Sequence, residues 1–126
     1  MAKTFLCIAA ISGMLAVIIG AFGAHGLKAR ITEDLMLVYQ TGVQYHFYHT
    51  FALLVVGLLL LQYPQVSLLH WSGILFIAGL LVFSGSLYVL ALTGVKWLGA
   101  ITPLGGLAFI GGWASLAWAI YRSIGK

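Results

Sequence analysis

The sequence predicts an all-α integral membrane protein, an antiparallel four-helix bundle with an interfacial amphipathic segment between helices 1 and 2. Charged residues occupy only 6% of the 126 positions and apolar residues occupy 63%, so polar side chains are too few to surround a soluble core. Four apolar stretches, each of about 19–25 residues, can cross a hydrocarbon core of about 30 Å. They form a single transmembrane domain over residues 1–126, with spans at about 4–24, 45–63, 68–92 and 97–121.

Small residues recur at every fourth position of the first stretch. In lipid the hydrophobic effect does little to bring helices together, and small side chains promote association by allowing the backbones to approach closely. We therefore expect these rows to be helix-packing surfaces, within one chain or alternatively against a second copy or a partner subunit. The first row contains Ser12, Ala16, Gly20 and Ala24, and a similar row in the last stretch contains Gly111 and Ser115.

The segment between the first two stretches has the pattern of a helix start. Thr32 is a favourable N-cap residue, and Glu33 and Asp34 follow in the first turn, where the helix dipole stabilises negative charge. We expect a helix that begins at Glu33, lies along the membrane interface through residues 35–39 and leads into the second span. Gly42 is a candidate bend between the two parts.

The start of the last helix has two interpretations. Proline is favoured at the first helical position, and Thr102 before Pro103 is a suitable cap, which predicts a helix from Pro103 with residues 97–101 at the interface. Alternatively, the helix begins at Lys96 and is kinked at Pro103.

The six basic residues are divided evenly between the two ends of the spans. Three lie near the termini and three lie in the first and third loops, so the positive-inside rule gives only a weak orientation. Four spans place both termini on one side, and the N-terminal amine favours the cytoplasm for that side. Scattered flanking cations are typical of contact with lipid headgroups rather than nucleic acid, and the expected headgroup rim consists of Lys28, Arg30 and Lys96.

Polar motifs collect at one end of the four stretches. They stand at the end of the first and third stretches and at the start of the second and fourth, which share one membrane face in an antiparallel arrangement. An unpaired polar group in hydrocarbon costs several kcal/mol, so polar side chains at matching depth should bond one another. The expected binding cluster consists of His25, Gln44, Tyr45, His49, Ser84, Ser86, Tyr88 and Thr102.

These motifs resemble the signature segments of a known protein family. They read Gly20-Ala-Phe-Gly-Ala-His-Gly-Leu27, Gln44-Tyr-x-x-Tyr-His49, Phe83-Ser-Gly-Ser-Leu-Tyr88 and Ile101-Thr-Pro-Leu-Gly-Gly106. The family is catalogued as domain of unknown function 423, and its eukaryotic relatives are called transmembrane protein 256. The resemblance implies a four-span protein of the inner membrane in bacteria, with no assigned catalytic residue. His25, Gln44, Tyr45 and His49 match its pattern, whereas His46 is not a fixed part of it.

Metal and hydrolytic sites have little support in the sequence. His46 and His49 are three positions apart, but the spans contain no carboxylate to complete a metal site and Cys7 lies toward the other face. No acid is placed to orient an imidazole beside Ser84 and Ser86 for nucleophilic hydrolysis. We therefore expect no catalytic residue, no metal and no cofactor.

The sequence favours a binding or accessory role over enzymatic activity. The expected partners are membrane lipids or, alternatively, a larger membrane protein complex or a second copy of the chain, with no nucleic acid. The alternative function is a small oligomeric transporter or channel that uses intramembrane histidines. Proton-coupled transport usually involves an embedded Asp or Glu, and the spans have neither.

Overall fold

The computed structural model describes residues 1–125 and consists of four long helices. All four are long and apolar enough to cross a membrane, and no β-strand occurs within these residues, which confirms the predicted all-α class with four candidate spans. Each helix is longer than the predicted apolar stretch. Helix 1 covers Ala2–Leu27, helix 2 covers Glu33–Gln62, helix 3 covers Ser67–Thr93 and helix 4 covers Lys96–Ser123.

Three of these helices change their hydrogen-bonding period along their length. Helix 1 is α-helical over Ala2–Phe22 and ends in a π turn, Gly23–Leu27. Helix 3 is α-helical over Ser67–Gly79 and Gly85–Thr93, with a π turn at Leu80–Ser84 between them. A π turn holds one residue more than the α turn it replaces, and such turns are frequent at functional sites.

The start of helix 2 agrees with the sequence analysis, but the candidate bend does not. The Thr32 hydroxyl accepts a hydrogen bond from the backbone N–H of Leu35 at 3.2 Å, so Thr32 is the N-cap and the helix begins at Glu33. The helix continues through Gly42 without a break. A Cβ on Gly42 would lie 2.8 Å from the Tyr88 ring, so this glycine makes room for a side chain of helix 3.

The start of helix 4 is closer to the prediction of a helix that begins at Pro103 than to that of a helix from Lys96 with a kink. A 3₁₀ turn covers Lys96–Ala100, and the α-helix covers Thr102–Ser123 with Pro103 in its first turn. A proline is tolerated there because the first helical N–H groups have no intrahelical partner. Thr102 does not cap the helix. Its hydroxyl is 2.6 Å from that of Ser86 in helix 3.

The early residues of helix 1 contact the late residues of helix 2, and the late residues of helix 1 contact the early residues of helix 2. Leu6, early in helix 1, lies against Gly57, near the end of helix 2, where an added Cβ would meet the Leu6 side chain. Late in helix 1, the carbonyl of Ile19 accepts a hydrogen bond from the Tyr39 hydroxyl near the start of helix 2.

Helices 3 and 4 contact each other in the same way, and helices 2 and 3 lie in the middle. The Ser72 hydroxyl donates to the carbonyl of Gly112 at 2.8 Å, whereas the later Ser86 pairs with the earlier Thr102. In helices 2 and 3, 44% of the residues of the apolar 18-residue segment are buried inside the molecule. The corresponding fractions are 22% in helix 1 and 28% in helix 4. Helices 1 and 4 therefore flank the central pair.

Both ends of the described chain lie beside the loop between helices 2 and 3. Lys3 shares a surface groove with Pro64, and Arg122 shares another with Gln65 and Ser67. The first and third loops lie at the other end, where Leu27, Tyr39 and Ala91 form a small apolar cluster. The larger apolar cluster lies toward the termini and includes Phe5, Leu53, Leu69 and Phe76.

Only some residues of the two predicted rows of small residues are buried. Ser12 and Ala16 are buried, Gly20 is half-buried and Ala24 is exposed. A strict four-residue spacing drifts about 40° per step around a helix of 3.6 residues per turn, so the row rotates away from the interface. Gly111 and Ser115 are likewise half-buried. The buried residues of helix 4 are Gly105, Phe109, Gly112, Leu116 and Ala119.

Candidate functional site

Four polar side chains from three helices form a continuous chain of hydrogen bonds inside the molecule. The Thr50 and Ser12 hydroxyl oxygens are 2.6 Å apart, and Ser12 Oγ is 2.9 Å from His46 Nε2. His46 Nδ1 is 2.8 Å from the hydroxyl of Tyr88. We call these four residues the polar chain. Ser12, His46 and Thr50 are buried and Tyr88 is half-buried, so the polar chain connects helices 1, 2 and 3 within the interior.

Local sequence explains how the polar chain is assembled. His46 and Thr50 are four positions apart and therefore lie on one face of helix 2. Ser12 follows Ala9 and precedes Ala16 on the buried face of helix 1, where small side chains allow the two backbones to approach. Tyr88 reaches His46 across Gly42, which has no side chain to obstruct its ring.

A lateral groove with a volume of about 330 Å³ opens beside the polar chain, between helices 1 and 3. The ring of Phe5 fills the space over Gly73 near one end of the two helices, and further along the helices leave the groove between them. Its walls are apolar and include Ile8, Ile11 and Leu15 of helix 1 with Ile77, Leu80 and Leu81 of helix 3.

The floor of the groove is polar and extends from Ser12, near the middle of helix 1, to Tyr88, five residues before the end of helix 3. Ser12, His46, Ser84 and Tyr88 form this floor, and the Ser84 hydroxyl donates to the carbonyl of Gly42 at 2.9 Å. His46 lies about 20 Å from the start of helix 2 and about 24 Å from its end, at about 1.5 Å per residue. The groove therefore offers an apolar molecule a few polar contacts.

Gly85 lies in the wall of the groove and leaves it open. No heavy atom lies within 4 Å of a Cβ placed on this residue, and Gly85 lines the groove beside Ser84. A Cβ added here would therefore lie in free space.

His49 is not part of the polar chain, and its two hydrogen-bond partners determine which ring nitrogen carries the hydrogen. Its Nδ1 is 2.8 Å from the carbonyl oxygen of Tyr45, which can only accept, so Nδ1 carries the hydrogen. Its Nε2 is 3.0 Å from the indole N–H of Trp113, which can only donate. His49 is therefore the neutral Nδ1–H tautomer. Its ring stacks on Phe109 with the ring centroids 3.5 Å apart.

The structure divides the predicted binding cluster into separate groups. Ser84 and Tyr88 line the groove together with His46. The ring of His49 stacks with that of Tyr45, with 5.9 Å between the centroids. Ser86 pairs with Thr102.

The other predicted residues lie at the surface, and His25 and Gln44 are exposed. His25 lies in the π turn that ends helix 1, and Gln44 lines a groove near the start of helix 2. Lys28, Arg30 and Lys96, the predicted headgroup rim, are exposed beside the first and third loops.

Three members of the polar chain lie outside the predicted cluster. The row of small residues predicts only a packing role for Ser12, His46 enters only as a candidate metal ligand, and Thr50 belongs to none of the predicted motifs. The available signal was the spacing of His46 and Thr50 on one helical face, together with a serine in the small-residue row of helix 1.

Both histidines of helix 2 use both ring nitrogens in hydrogen bonds. His46 is bonded to Ser12 and Tyr88, and His49 to Tyr45 and Trp113. A metal would have to replace one of these bonds. Within residues 1–125, no three His, Cys, Asp or Glu side chains lie close enough together to hold a metal ion.

The sequence has relatives that match it along most of its length. A family described as "Protein of unknown function (DUF423)" matches residues 19–106. The UPF0382 membrane protein YwdK of Bacillus subtilis is 47% identical over 120 residues, which cover 95% of this chain and 98% of the relative. A UPF0382 membrane protein of Staphylococcus aureus is 43% identical over 123 residues, 98% of this chain and 99% of the relative. No solved structure matches the chain. The chain therefore belongs to the DUF423 family, and its relatives are membrane proteins.

Proposed function

We propose that this protein is a non-enzymatic, lipid-binding protein of the bacterial plasma membrane, and that the groove between helices 1 and 3 holds the apolar part of a membrane lipid. The observation that carries the proposal is the groove itself. It has apolar walls, a polar floor and a volume of about 330 Å³, which is within the range of about 300–1,000 Å³ typical of small-molecule sites.

The proposed membrane arrangement is an antiparallel bundle with both termini in the cytoplasm. The opposite order of the helix contacts supports it, as does the position of both ends beside the second loop. Helix 2 has 30 residues and a length of about 45 Å, which exceeds a hydrocarbon core of about 30 Å. Its first turns, with Glu33 and Asp34, would then lie in the interface, together with Lys28, Arg30 and Lys96 among the headgroups.

The surroundings of the groove favour a lipid as its occupant. Ile11, Leu15 and Leu81 at its walls are 55%, 44% and 73% exposed, so in a membrane the opening faces hydrocarbon. A void beside such side chains would forfeit van der Waals contacts that a hydrocarbon chain restores. The most abundant molecules at this depth are lipids with apolar chains.

Filling the groove from within tests the proposal. In Gly85→Leu the new side chain should enter the groove, because a Cβ at this position has no heavy atom within 4 Å, and the loss of a helical glycine should not reduce stability. Gly106→Leu on helix 4 is the matched control, because a Cβ there makes ordinary contact with Phe83 at 3.9 Å. Native mass spectrometry in mild detergent should show lipid bound to the wild type and to Gly106→Leu but displaced from Gly85→Leu. Equal lipid binding by all three proteins would refute the proposal.

The alternative of a transporter or channel has one supporting observation, the polar chain. The polar chain ends at Thr50, however. Further along helix 2, the buried residues Leu53, Val56 and Leu60 belong to the larger apolar cluster. A route for protons would need polar groups or water to continue through this region. We therefore favour binding over conduction, and proteoliposomes should show proton flux no faster than protein-free liposomes.

A further inference from the structure

Two glutamine side chains on the outer face of helix 2 have no hydrogen-bond partner within the described chain. Gln40 and Gln44 are one turn apart, and both are exposed. The nearby hydroxyls of Tyr39 and Thr41 each donate to a backbone carbonyl, but neither glutamine amide takes part in a side-chain hydrogen bond within residues 1–125. Each amide therefore leaves both its N–H donors and its carbonyl acceptor unpaired.

Apolar side chains flank Gln44 along the same face of helix 2. Leu37 and Phe51 each lie seven residues away, about two turns, and they are 63% and 59% exposed. In a membrane this face therefore meets hydrocarbon on both sides of Gln44, including the side toward the first loop. An unpaired amide is strongly disfavoured in such surroundings, because no water replaces its missing partner. The partner of Gln44 must then come from outside the chain.

The surface beside Gln44 allows another helix to approach closely. A shallow groove with a volume of about 240 Å³ lies between helices 1 and 2, and its lining includes Gln40, Gln44, Gly20 and Ala24. Gly20 is half-buried and Ala24 is exposed, so this end of the small-residue row is open to the outside. Small side chains let a second backbone approach, and glutamine side chains hydrogen-bond across such contacts. We call these four residues the amide face.

The amide face and the lipid groove lie on different flanks of helix 1. Leu15 is part of the groove wall, whereas Gly20 belongs to the amide face. The two residues are five positions apart, which corresponds to a rotation of about 140° around the helix axis. A molecule on the amide face therefore leaves the lipid groove open.

We infer that the amide face binds a second copy of this chain, and that the two copies of Gln44 hydrogen-bond each other across a two-fold axis. An amide is self-complementary, since the N–H of each copy can donate to the carbonyl of the other. A two-fold interface brings the same patch of both copies together, so residues beside the axis meet their own counterparts. The esters of a phospholipid only accept hydrogen bonds and would leave the Gln44 carbonyl without a donor.

Charges at the first loop favour the same arrangement. Lys28 and Arg30 precede Glu33 and Asp34, and all four are exposed. An axis along the membrane normal keeps the first loops of both copies on one side, so the acids of one copy can face the bases of the other. Glu33 and Asp34 are the only acidic side chains of the chain. No other part of the molecule therefore offers side chains of both signs.

The test counts subunits of the full-length protein in phosphatidylethanolamine–phosphatidylglycerol liposomes, by single-molecule photobleaching at increasing dilution in lipid. Gln44→Leu removes the amide. Gln62→Leu is the matched control, because Gln62 is exposed at the last position of helix 2. We expect a dimer in the wild type and in Gln62→Leu. Gln44→Leu should dimerise about eightfold more weakly, as for the loss of two hydrogen bonds between membrane helices.

A second pair of variants tests the close approach of the helices. Ala24→Leu adds bulk to the amide face, and the exposed position of Ala24 leaves the fold of a single copy intact. Ala114→Leu is the control, because Ala114 is exposed on helix 4. Dimerisation should be at least tenfold weaker in Ala24→Leu and unchanged in Ala114→Leu. Equal thermal unfolding midpoints in detergent would show that both variants are folded.

Cross-linking shows which faces meet. In a Cys7→Ala background, Gln40→Cys should form a disulfide-linked dimer under mild oxidation, whereas Leu81→Cys, which is 73% exposed on helix 3, should not. A monomeric wild type, a Gln44→Leu dimer as tight as that of Gln62→Leu, or cross-linking through Leu81→Cys alone would each refute the inference. A monomer that loses bound lipid in Gln44→Leu, as seen by native mass spectrometry, would assign the amide face to lipid instead.

The dimer and the proposed lipid-binding function can fail separately. Gly85→Leu, which fills the lipid groove, should dimerise as tightly as the wild type, because Gly85 lies in the wall of that groove and not in the amide face. Weaker dimerisation of Gly85→Leu would contradict the assignment of the interface to the amide face.

Discussion

The indole N–H of Trp113 donates a hydrogen bond to Nε2 of His49 at 3.0 Å and so joins helix 4 directly to helix 2. The bond completes the hydrogen bonding of the imidazole, because Nδ1 already donates to the carbonyl of Tyr45. Aromatic rings surround it, with Phe109 stacked on His49 and Phe76 edge-on to Trp113 at 5.1 Å between centroids. His49 thus holds a flanking helix to the central pair.

Trp113→Phe is expected to destabilise the protein by about 1 kcal/mol, because Nε2 of His49 loses its donor while an aromatic ring is kept. Trp71→Phe is the control, since Trp71 is 60% exposed on helix 3. Thermal unfolding in detergent, followed by gel filtration, measures the difference. Equal midpoints for the two variants would contradict the assigned bond.

The neighbouring glycines at the start of helix 4 should respond differently to alanine. A Cβ on Gly105 would overlap the backbone of Phe83, whereas a Cβ on Gly106 lies 3.9 Å from the Phe83 ring. Because backbone atoms cannot move aside as a flexible side chain does, Gly105→Ala should cost about 1–3 kcal/mol. Gly106→Ala should be neutral or slightly stabilising. Unfolding midpoints that rank the two variants in the opposite order would show that helices 3 and 4 pack elsewhere.

Ser12 and Thr50 should be energetically coupled. A double-mutant cycle with Ser12→Ala and Thr50→Val is expected to give a coupling free energy of about 0.6–1.7 kcal/mol, as for other hydrogen bonds between membrane helices. Thr41→Val is the control partner for Ser12→Ala, because the Thr41 hydroxyl donates to the carbonyl of Leu37 within helix 2. Coupling of Ser12 to Thr41 as large as that to Thr50 would exclude a specific bond.

The two termini should be labelled from the same side of the membrane. In a Cys7→Ala background, Ala2→Cys and Ser123→Cys should react with an impermeant maleimide from one side, and Lys28→Cys from the other. The reason is that both ends of the described chain lie beside the second loop, while Lys28 is exposed near the first. Labelling of Ala2→Cys and Ser123→Cys from opposite sides would exclude a four-span arrangement.

Features that depend on local sequence could be predicted here. The number of helices follows from length and hydropathy, and the cap at Thr32 follows from a threonine placed before two acidic residues. Both signals lie within a few neighbouring positions. Gly42 shows where local reasoning is insufficient, because a glycine indicates either a bend or the close approach of another helix, and only the position of Tyr88 decides between them.

The partners of the polar residues depend on how the helices are aligned against each other. His46 and His49 are only three positions apart on helix 2, but one faces Ser12 and Tyr88 and the other faces Trp113. The alignment results from the packing of many side chains along each helix pair, and no single motif encodes it. The π turn at Leu80–Ser84 also has no recognisable motif, although it sets the face on which the later residues of helix 3 lie.

That turn makes chain length as important as residue identity in this part of the protein. Because a π turn holds one residue more than an α turn, deletion of one residue between Gly79 and Gly85 would restore an ordinary α turn and leave the later residues of helix 3 on their present face. Ser86 and Tyr88 would then keep their present neighbours, while the part of the groove wall formed by Leu80, Leu81 and Ser84 would change. During evolution, a single codon lost or gained here would reshape the groove in one step, with every amino acid outside the turn unchanged.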